Sequence, residues 1–437
     1  MKSIEKPITY NSVVYALLLA AVGTSMTIPR AGTKVSEVPI TLPSVLYGLL
    51  VLLWVCRPAS RIRISTGYRS MHEGLAVYGT TGFVLMGVVS LLVGFIRVPD
   101  AKESLINAAG IIGYVPIFFI VREFVNSPDR LRQFSKVIIG STLIVSVYGI
   151  IQYIFGHYTV MIPGITICYS DAFLPRVFEE KCNLTAVGLK VVSTFQNGNL
   201  FGNFLALVLP LCIALSAVSS GRKRFFFVIL SILVMVNITL SLSRGSIIVS
   251  LISLLILVRY MWPARVPCYF LIGYAAIGLL CIFGLQLAER ILVYDPTAAG
   301  RMPMYQDFKE AYESMPVSSL IPVVIFGAGM KGYVGNYGHW VDGTESSLLT
   351  ILLESGLIGL SLFASALIGS IGFGLKIRQI GKHQIVHPAF AIGLSVGIIG
   401  CVAQLGIDQS ILLPPSSMNL WAVLGLLMAV GRIVRSE

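Results

Sequence analysis

Residues 357–375 read Leu-Ile-Gly-Leu-Ser-Leu-Phe-Ala-Ser-Ala-Leu-Ile-Gly-Ser-Ile-Gly-Phe-Gly-Leu and contain no charged side chain. A helix of this length is about 28 Å long, which is close to the thickness of the hydrocarbon core of a bilayer. The run is therefore predicted to cross a membrane.

The rest of the chain has the same character. Of its 437 residues, 56% are hydrophobic and 12% are charged, whereas a soluble domain carries about 25% charged residues. Polar side chains are too few to cover a water-facing surface of this size, so much of the apolar surface must face lipid. The sequence predicts an all-α polytopic integral membrane protein, with residues 1–437 as a single membrane domain.

Twelve apolar stretches are long enough to be candidate transmembrane helices. The two shortest leave ten or eleven spans as alternatives to twelve. The candidates are 12–28, 39–56, 74–96, 105–121, 137–156, 200–219, 225–242, 246–260, 268–287, 346–375, 388–407 and 418–431, of which 246–260 and 418–431 are the weakest.

The basic residues predict the orientation. With a cytoplasmic N terminus, 20 of the 32 lysines and arginines fall on cytoplasmic segments, as the positive-inside rule requires. Both termini are then cytoplasmic. The net charge of +12 is mostly this topology signal, and no nucleic-acid partner is expected. Both long hydrophilic segments, 157–199 and 288–345, fall on the outer side, the second between spans 9 and 10, so any chemistry is predicted there.

Two short motifs place a cation at the outer boundary. The first is Lys190-Val-Val-Ser-Thr-Phe-Gln-Asn-Gly-Asn199, which runs into a span. Lys190 is either a snorkelling anchor or a functional group. The second, Ser241-Leu-Ser-Arg244-Gly245, interrupts a long apolar stretch. Because an arginine facing lipid costs several kcal/mol, Arg244 is expected in a tight outer turn or a cavity.

The 288–345 loop carries further candidates. It opens with Gly300-Arg301, continues through an amphipathic helical piece at 305–312, and reaches Phe326-Gly-Ala-Gly-Met-Lys331, with His339 and Glu345 beyond. The glycines match a dinucleotide-binding pattern, but no βαβ unit surrounds them. A glycine-rich loop can still present backbone N–H groups to a phosphate.

The stretch 346–375 predicts a helix of about 45 Å that projects outward from the bilayer. Glu354 lies deeper on this helix, where a carboxylate needs a partner or a proton, and a structural hydrogen bond is as good an explanation as catalysis. The opposite, protein-facing stripe of the helix is predicted to carry Glu345, Leu349, Leu352, Gly356 and Gly359, whose glycines permit close approach of a neighbouring helix.

Two cysteines, Cys168 and Cys182, share the outer loop 157–199. An oxidising compartment favours a disulfide between them, and two free thiols are the alternative. No cluster has the spacing of a metal site, so neither a metal nor a cofactor is expected.

In their order along the chain these motifs resemble the O-antigen ligase and Wzy polysaccharide polymerase superfamily. The resemblance rests on Thr-Phe-x3-Asn before a span, Ser-Arg-Gly at a span break, Gly-Arg opening a large outer loop, Phe-Gly-x-Gly and a final Glu-x-Gly-x-x-Gly. It covers roughly residues 190–370.

The resemblance implies a metal-independent, inverting glycosyltransferase with a GT-C-like fold in a bacterial inner membrane. Its donor would be an undecaprenyl-diphosphate-linked glycan and its acceptor a lipid-linked glycan or lipid A-core, on the periplasmic face, with a chain-length regulator as a further partner. Arg244 and Arg301 match the family's arginines, and Lys190 stands where an arginine is usual. These three are the predicted diphosphate ligands, supported by Asn199, Lys331 and Glu354.

The position at which ligases of the family carry their catalytic base has a different residue in this chain. Ligases of the family have a histidine eleven residues before the first glycine of Gly-x-x-Gly, and here that position is Glu345. Glu345 is the favoured catalytic residue and His339 the alternative. The missing histidine favours a polymerase over a ligase. A transporter or flippase is the more distant alternative. Transporters carry ionisable residues at the membrane midplane, whereas the polar residues of this chain collect in the two outer loops.

Overall fold

A computed structural model describes residues 9–35, 38–57, 70–97, 101–170, 184–185, 188–261, 265–283, 317–331, 346–380, 388–406 and 413–435. Helices account for most of these residues. Two small hairpins pair β1 (Gly32–Val35) with β2 (Val38–Thr41) and β3 (Leu184–Thr185) with β4 (Gly188–Leu189), both antiparallel.

The helices in chain order are α1 (Tyr10–Thr27), α2 (Leu42–Val55), α3 (Met71–Arg97), α4 (Ala101–Ile111), α5 (Pro116–Phe124), α6 (Pro128–Phe155), α7 (His157–Val160), α8 (Gly198–Val218), α9 (Gly221–Leu240), α10 (Arg244–Met261), α11 (Val266–Phe283), α12 (Val317–Phe326), α13 (Ser347–Ile380), α14 (Pro388–Leu405) and α15 (Pro414–Arg435).

Every one of the twelve predicted spans contains helix, with 105–121 divided between α4 and α5 by a turn at 112–115, and the all-α polytopic class is confirmed. Among the described residues, ten helical segments are long and apolar enough to cross a membrane, while Leu42–Val55 and Val266–Ala275 are apolar but shorter. The two weakest predictions, α10 and α15, are 18 and 22 residues long and belong to the ten. The GT-C-like arrangement stays a prediction.

Polar caps and prolines set where several helices begin. Thr9, Ser127 and Asn197 each accept a hydrogen bond from a backbone N–H of the first turn of α1, α6 and α8. Proline stands at the start of α5, α6, α14 and α15, where its missing N–H removes no intrahelical bond. The hydrophobic runs are thus bounded by residues that favour helix initiation.

Helices α8, α14 and α15 form the centre of the bundle. Between 78% and 94% of the residues in the most apolar part of each of these helices are buried. In α3, α6, α9 and α10 the buried share is 33–39%, and large aliphatic side chains are exposed. Such exposed apolar faces are the surface that lipid covers in a membrane protein.

Glycines let α3 and α13 approach closely, as small residues do between membrane helices. A Cβ atom on Gly369 would lie 2.3 Å from the backbone nitrogen of Ala76, and one on Gly79 would lie 2.6 Å from that of Ala366. The two glycines predicted to permit a close approach are Gly356, which meets the end of α12, and Gly359, whose Cβ would be in ordinary contact with Met86 of α3 at 3.5 Å. The tightest contacts between α3 and α13 are made further along α13.

Segments predicted on one side of the membrane contact one another. On the predicted outer side, the backbone of Lys34 in β1 donates to the Ser170 hydroxyl at 3.1 Å. On the predicted cytoplasmic side, Glu73 of α3 binds Arg122 at 3.1 Å and Arg435 at 3.0 Å, one guanidinium on each carboxylate oxygen. The contacts agree with the alternation of sides that the charges predict.

The prediction of one regular helix over 346–375 is wrong at Gly356. This residue has φ 64° and ψ −171°, which interrupts α13. The physical reason is a close approach: a Cβ on Gly356 would lie 2.3 Å from the carbonyl oxygen of Ile325. The helical periodicity that placed Glu345, Gly356 and Gly359 on one stripe therefore does not continue past the break.

Candidate functional site

The segment 190–197 forms a tightly held turn between β4 and α8. Ser193 has φ 52°, and its N–H donates to Oε1 of Gln152 at 2.8 Å. The N–H of Val192 donates to the same oxygen at 2.9 Å. The hydroxyl of Thr194 donates to the carbonyl oxygen of Thr27 at 2.6 Å. The turn next to Lys190 is thus fixed by α6 and by the end of α1.

This turn packs against the Ser-Leu-Ser-Arg motif. The N–H of Val191 donates to the carbonyl oxygen of Leu240 at 3.1 Å. A Cβ on Gly198 would lie 2.5 Å from the carbonyl oxygen of Ser241 and 3.5 Å from the Lys190 side chain. The structure therefore brings two of the predicted motifs together.

Arg244 is the first residue of α10, and its side chain is exposed. The turn before it is stabilised by the hydroxyls of Ser243 and Ser246, which are 2.9 Å apart. Gln404, fully buried in α14, donates from Nε2 to the Ser246 hydroxyl at 3.3 Å. Arg244 therefore begins its helix directly beside the end of α14.

The start of α13 lies at the same end of α14. The hydroxyl of Ser346 donates to the carbonyl oxygen of Leu405 at 3.3 Å. Ser346 directly follows Glu345 in the chain. Three segments spread over more than 150 residues of the chain, those of Lys190, Arg244 and Ser346, thus meet at one end of the bundle.

Asn199, predicted as a supporting residue, lies in the first turn of α8 and is half-buried. The amide that caps this helix belongs to Asn197, whose Oδ1 accepts from the N–H of Leu200 at 2.8 Å. Of the two asparagines in this motif, Asn197 is therefore the one that caps the helix.

A second polar cluster surrounds Gly327–Lys331, here called the glycine loop. It follows α12 and lies against the break in α13. The N–H of Ala328 donates to the carbonyl oxygen of Leu353 at 2.7 Å, and the N–H of Gly329 to that of Glu354 at 3.2 Å. Gly327 and Gly329 have φ 85° and 90°, which a residue with a side chain rarely adopts.

Helices α3 and α4 hold the other side of the glycine loop. The N–H of Met330 donates to the carbonyl oxygen of Ser90 at 2.9 Å. The carbonyl oxygen of Met330 accepts from the Ser104 hydroxyl at 3.1 Å, and that of Ala328 accepts from Arg97 at 3.1 Å. The Phe-Gly-Ala-Gly-Met-Lys motif is thus an anchored piece of backbone within the bundle.

Glu354 lies where the glycine loop meets the helix break, and its side chain is fully buried. Oε1 accepts from the amide of Asn107 and from the N–H of Lys331 at 3.3 Å. Oε2 has no hydrogen-bond partner among the described groups. The sequence left two explanations for Glu354 open, a structural hydrogen bond and catalysis. These contacts provide the partners that a structural hydrogen bond requires.

His157 and Arg30 lie next to the Lys190 turn and were not predicted as site residues. The imidazole Nδ1 of His157 contacts Nε2 of Gln152. Burial, and to a smaller degree the charge of Arg30, lower the pKa of His157 below its ordinary value. In sequence, Gln152 is the available signal, because it is a polar residue inside the apolar run 137–156.

Several predicted residues lie outside the described parts of the chain. These are Glu345, His339, Arg301 and Cys182, together with the helical piece 305–312. Cys168 is described and buried, and its thiol donates to the carbonyl oxygen of Arg30 at 3.3 Å. The disulfide to Cys182 stays a prediction. Within the described ranges, no three His, Cys, Asp or Glu side chains gather as metal ligands would.

No family model matches the chain, and a search of curated proteins finds no match to it. What the site can bind therefore follows from its own residues. Lys190 and Arg244 place two positive charges near one end of the bundle, beside a helix start and a rigid turn. Such an arrangement is suited to binding an anion at a membrane surface.

Proposed function

We propose that the chain is an inner-membrane glycosyltransferase that transfers an undecaprenyl-diphosphate-linked glycan on the periplasmic face, as a Wzy-like polysaccharide polymerase. The observation that supports this most is the meeting of the Lys190, Arg244 and Ser346 segments. Cations and the residue following Glu345 then share one end of the bundle, as transfer from a lipid diphosphate requires.

The chemistry has two requirements. As the glycosidic bond breaks, negative charge develops on the leaving diphosphate, and Lys190, Arg244 and Arg301 would neutralise it. Glu345, or His339 in its place, would accept the proton of the attacking sugar hydroxyl. The diphosphate is already a good leaving group, so the proposed mechanism uses no metal and no cofactor.

The test is direct transfer in a defined membrane. The purified chain in nanodiscs is incubated with an undecaprenyl-diphosphate-linked repeat unit, without added nucleotide, and the products are separated by length. Polymer formation supports the polymerase. Transfer only when lipid A-core is added supports the ligase alternative. Absence of both reactions contradicts the proposed activity.

Transport is the second candidate, because α13 is interrupted near a buried carboxylate, and transporters use discontinuous helices in this way. The same nanodisc preparation, reconstituted into sealed vesicles, distinguishes the two. A transporter would move lipid-linked glycan between leaflets without lengthening it. A transferase would lengthen it without a change of leaflet.

A further inference from the structure

The end of the bundle predicted to be cytoplasmic carries more arginines than its carboxylates can pair with. Each of the three carboxylates described at this end already binds arginine. The pairs are Glu73 with Arg122 and Arg435, Glu123 with Arg57, and Asp129 with Arg132. Any further guanidinium group at this end therefore needs another kind of partner.

Arg130 and Arg432 are two such groups. Neither forms an ion pair with a carboxylate among the described residues. Arg432 is exposed, although every other residue of α15 from 417 to 433 is buried. Glu73 and Glu123 act on Arg432 electrostatically, but their oxygens bind other guanidinium groups. The positive charge of Arg432 is thus presented at the surface of the bundle.

The two guanidinium groups are held at the same helix end. Nη1 of Arg130 donates to the carbonyl oxygen of Phe124 at 2.9 Å, and Nη1 of Arg432 donates to that of Arg122 at 3.1 Å. These carbonyl groups lie in the last turn of α5, about 3 Å apart along its axis. The Arg130 guanidinium also lies 4.8 Å from the centre of the Tyr15 ring. Two cations from α6 and α15 are therefore fixed at the C-terminal end of α5.

These hydrogen bonds leave most of the charge and most of the donors in place. A guanidinium group has five N–H donors, and each of these two uses one of them on a helix carbonyl. The C-terminal end of a helix carries a partial negative charge of about half an elementary charge. It therefore offsets only a minor part of the charge that Arg130 and Arg432 bring together.

The rest of this side of the protein does not supply the missing negative charge. Segments 58–69 and 381–387, which are outside the described residues, contain no acidic residue. The cytoplasmic segments predicted from the sequence hold 20 basic residues and five acidic ones. Three of these five are the paired carboxylates already named, and the others are Glu5 and Glu437 near the chain ends. The surplus charge thus calls for an anion from outside the chain.

The position of the two arginines indicates which anion this is. The end of α5 and the start of α6 are where apolar helices give way to polar segments, and in a bilayer this is the level of the lipid headgroups. A guanidinium fork matches the oxygens of a phosphate group, and basic sites between membrane helices on the cytoplasmic side suit anionic lipids.

We propose that Arg130 and Arg432, fixed at the end of α5, bind the headgroup phosphate of an anionic phospholipid of the cytoplasmic leaflet. This lipid site is predicted on the opposite side of the membrane from Lys190 and Arg244, and it does not depend on the proposed glycan transfer.

The variants remove charge and keep a donor. In Arg130→Gln/Arg432→Gln each side chain retains an amide N–H for the helix carbonyl but loses its positive charge. Arg432→Gln alone makes the same change at the exposed position. The matched control is Arg222→Gln/Lys223→Gln, which removes two charges from exposed positions at the start of α9, also on the predicted cytoplasmic side.

Native mass spectrometry of the full-length protein in detergent measures the dissociation constants of phosphatidylglycerol and of phosphatidylcholine with the same acyl chains. The wild type and the control should bind phosphatidylglycerol about 10- to 30-fold more tightly than the double glutamine variant, and about fivefold more tightly than Arg432→Gln. Phosphatidylcholine, whose amine neutralises its phosphate, should bind all four proteins alike. Inorganic phosphate at millimolar concentration should not displace phosphatidylglycerol.

Three results would overturn the proposal. Phosphatidylglycerol affinity unchanged in the folded glutamine variants would show that these arginines do not hold the lipid. An equal loss in the Arg222→Gln/Lys223→Gln control would indicate attraction by overall charge instead of a site. Displacement of the lipid by inorganic phosphate would identify the ligand as free phosphate. If the double variant does not fold, Arg432→Gln alone decides between these outcomes.

Discussion

Gln152 binds the backbone of Ser193 through both ends of its side-chain amide. Oε1 accepts the Ser193 N–H at 2.8 Å, and Nε2 donates to the Ser193 carbonyl oxygen at 3.3 Å. Residues 152 and 193 are on different elements, and Ser193 has a φ of 52°. One side chain of α6 thus replaces the hydrogen bonds that a neighbouring strand would provide, and so determines the path of the turn beside Lys190.

Replacing Gln152 by leucine should lower the free energy of unfolding by about 2–5 kcal/mol, because it leaves the N–H groups of Val192 and Ser193 buried without acceptors. Thermal and denaturant unfolding in detergent measure this. Gln133→Leu is the control, since Gln133 is exposed on the same helix. Equal destabilisation by the two substitutions would show that the amide does not hold the turn.

Arg244→Ala should reduce kcat/KM for the lipid-linked donor by about 10- to 100-fold, which corresponds to a charge-assisted phosphate contact of about 1.5–3 kcal/mol. Arg301→Ala is expected to behave similarly. Steady-state transfer assays on membranes with equal amounts of protein make the measurement.

The matched control for these cations is Arg224→Ala. Arg224 is exposed at the start of α9, on the side predicted to be cytoplasmic. It should retain wild-type transfer. Wild-type activity in both Arg244→Ala and Arg301→Ala would refute the diphosphate assignment, and an equal loss in Arg224→Ala would indicate a general charge effect.

Lys190→Arg should keep or improve donor affinity, whereas Lys190→Ala should weaken it. The guanidinium adds a bidentate fork to the charge that Lys190 already supplies. KM for the donor reports the difference. A Lys190→Ala variant with an unaltered KM would assign Lys190 to anchoring at the membrane interface instead.

Glu345→Gln should reduce transfer more than His339→Ala, because the glutamine keeps the shape of Glu345 and loses only its ability to accept a proton. Rates of transfer at saturating donor compare the two variants. The reverse order would make His339 the base.

Protonation of His157 should destabilise the protein as the pH falls. Burial, and then the charge of Arg30, place the pKa of the folded state below the ordinary 6.5, so the unfolded chain binds the proton first. The contribution of neutral His157 to the free energy of unfolding is complete above about pH 6.5 and is lost as the pH falls through the folded-state pKa. Unfolding measured across this window should depend on pH in the wild type and less so in His157→Asn. If the free energy of unfolding depended on pH in the same way in both proteins, His157 would not be the group responsible.

Much of the fold followed from hydrophobic length alone. All twelve predicted runs contain helix, because a stretch without charges has few alternatives to helix inside a bilayer. The break at Gly356 could not be predicted in the same way. Glycine is common in membrane helices, and only the approach of Ile325 and Gly327 to the α13 backbone explains why this glycine departs from helical geometry.

The candidate site was predicted only in part, again because contacts between distant segments cannot be read from a local pattern. The motifs around Lys190 and Arg244 were identified from residue order, and they do meet. Gln152 and Asn107 were missed, because a single amide in or near an apolar run resembles any other polar residue until its partner is known. Those partners lie 40 and 247 residues away in the chain, and no local pattern connects them.

The enclosure of α15 within the bundle has a consequence for how the protein is made. This helix is synthesised after every other helix described here, yet α5, α13 and α1 pack around it, and Ser25 of α1 donates to Asn419 of α15 at 2.5 Å. The faces of α1, α5 and α13 that α15 covers can therefore be buried, and Ser25 can bind Asn419, only after residues 414–435 have been synthesised. Completion of the bundle is thus expected to be a late step that follows translation of α15.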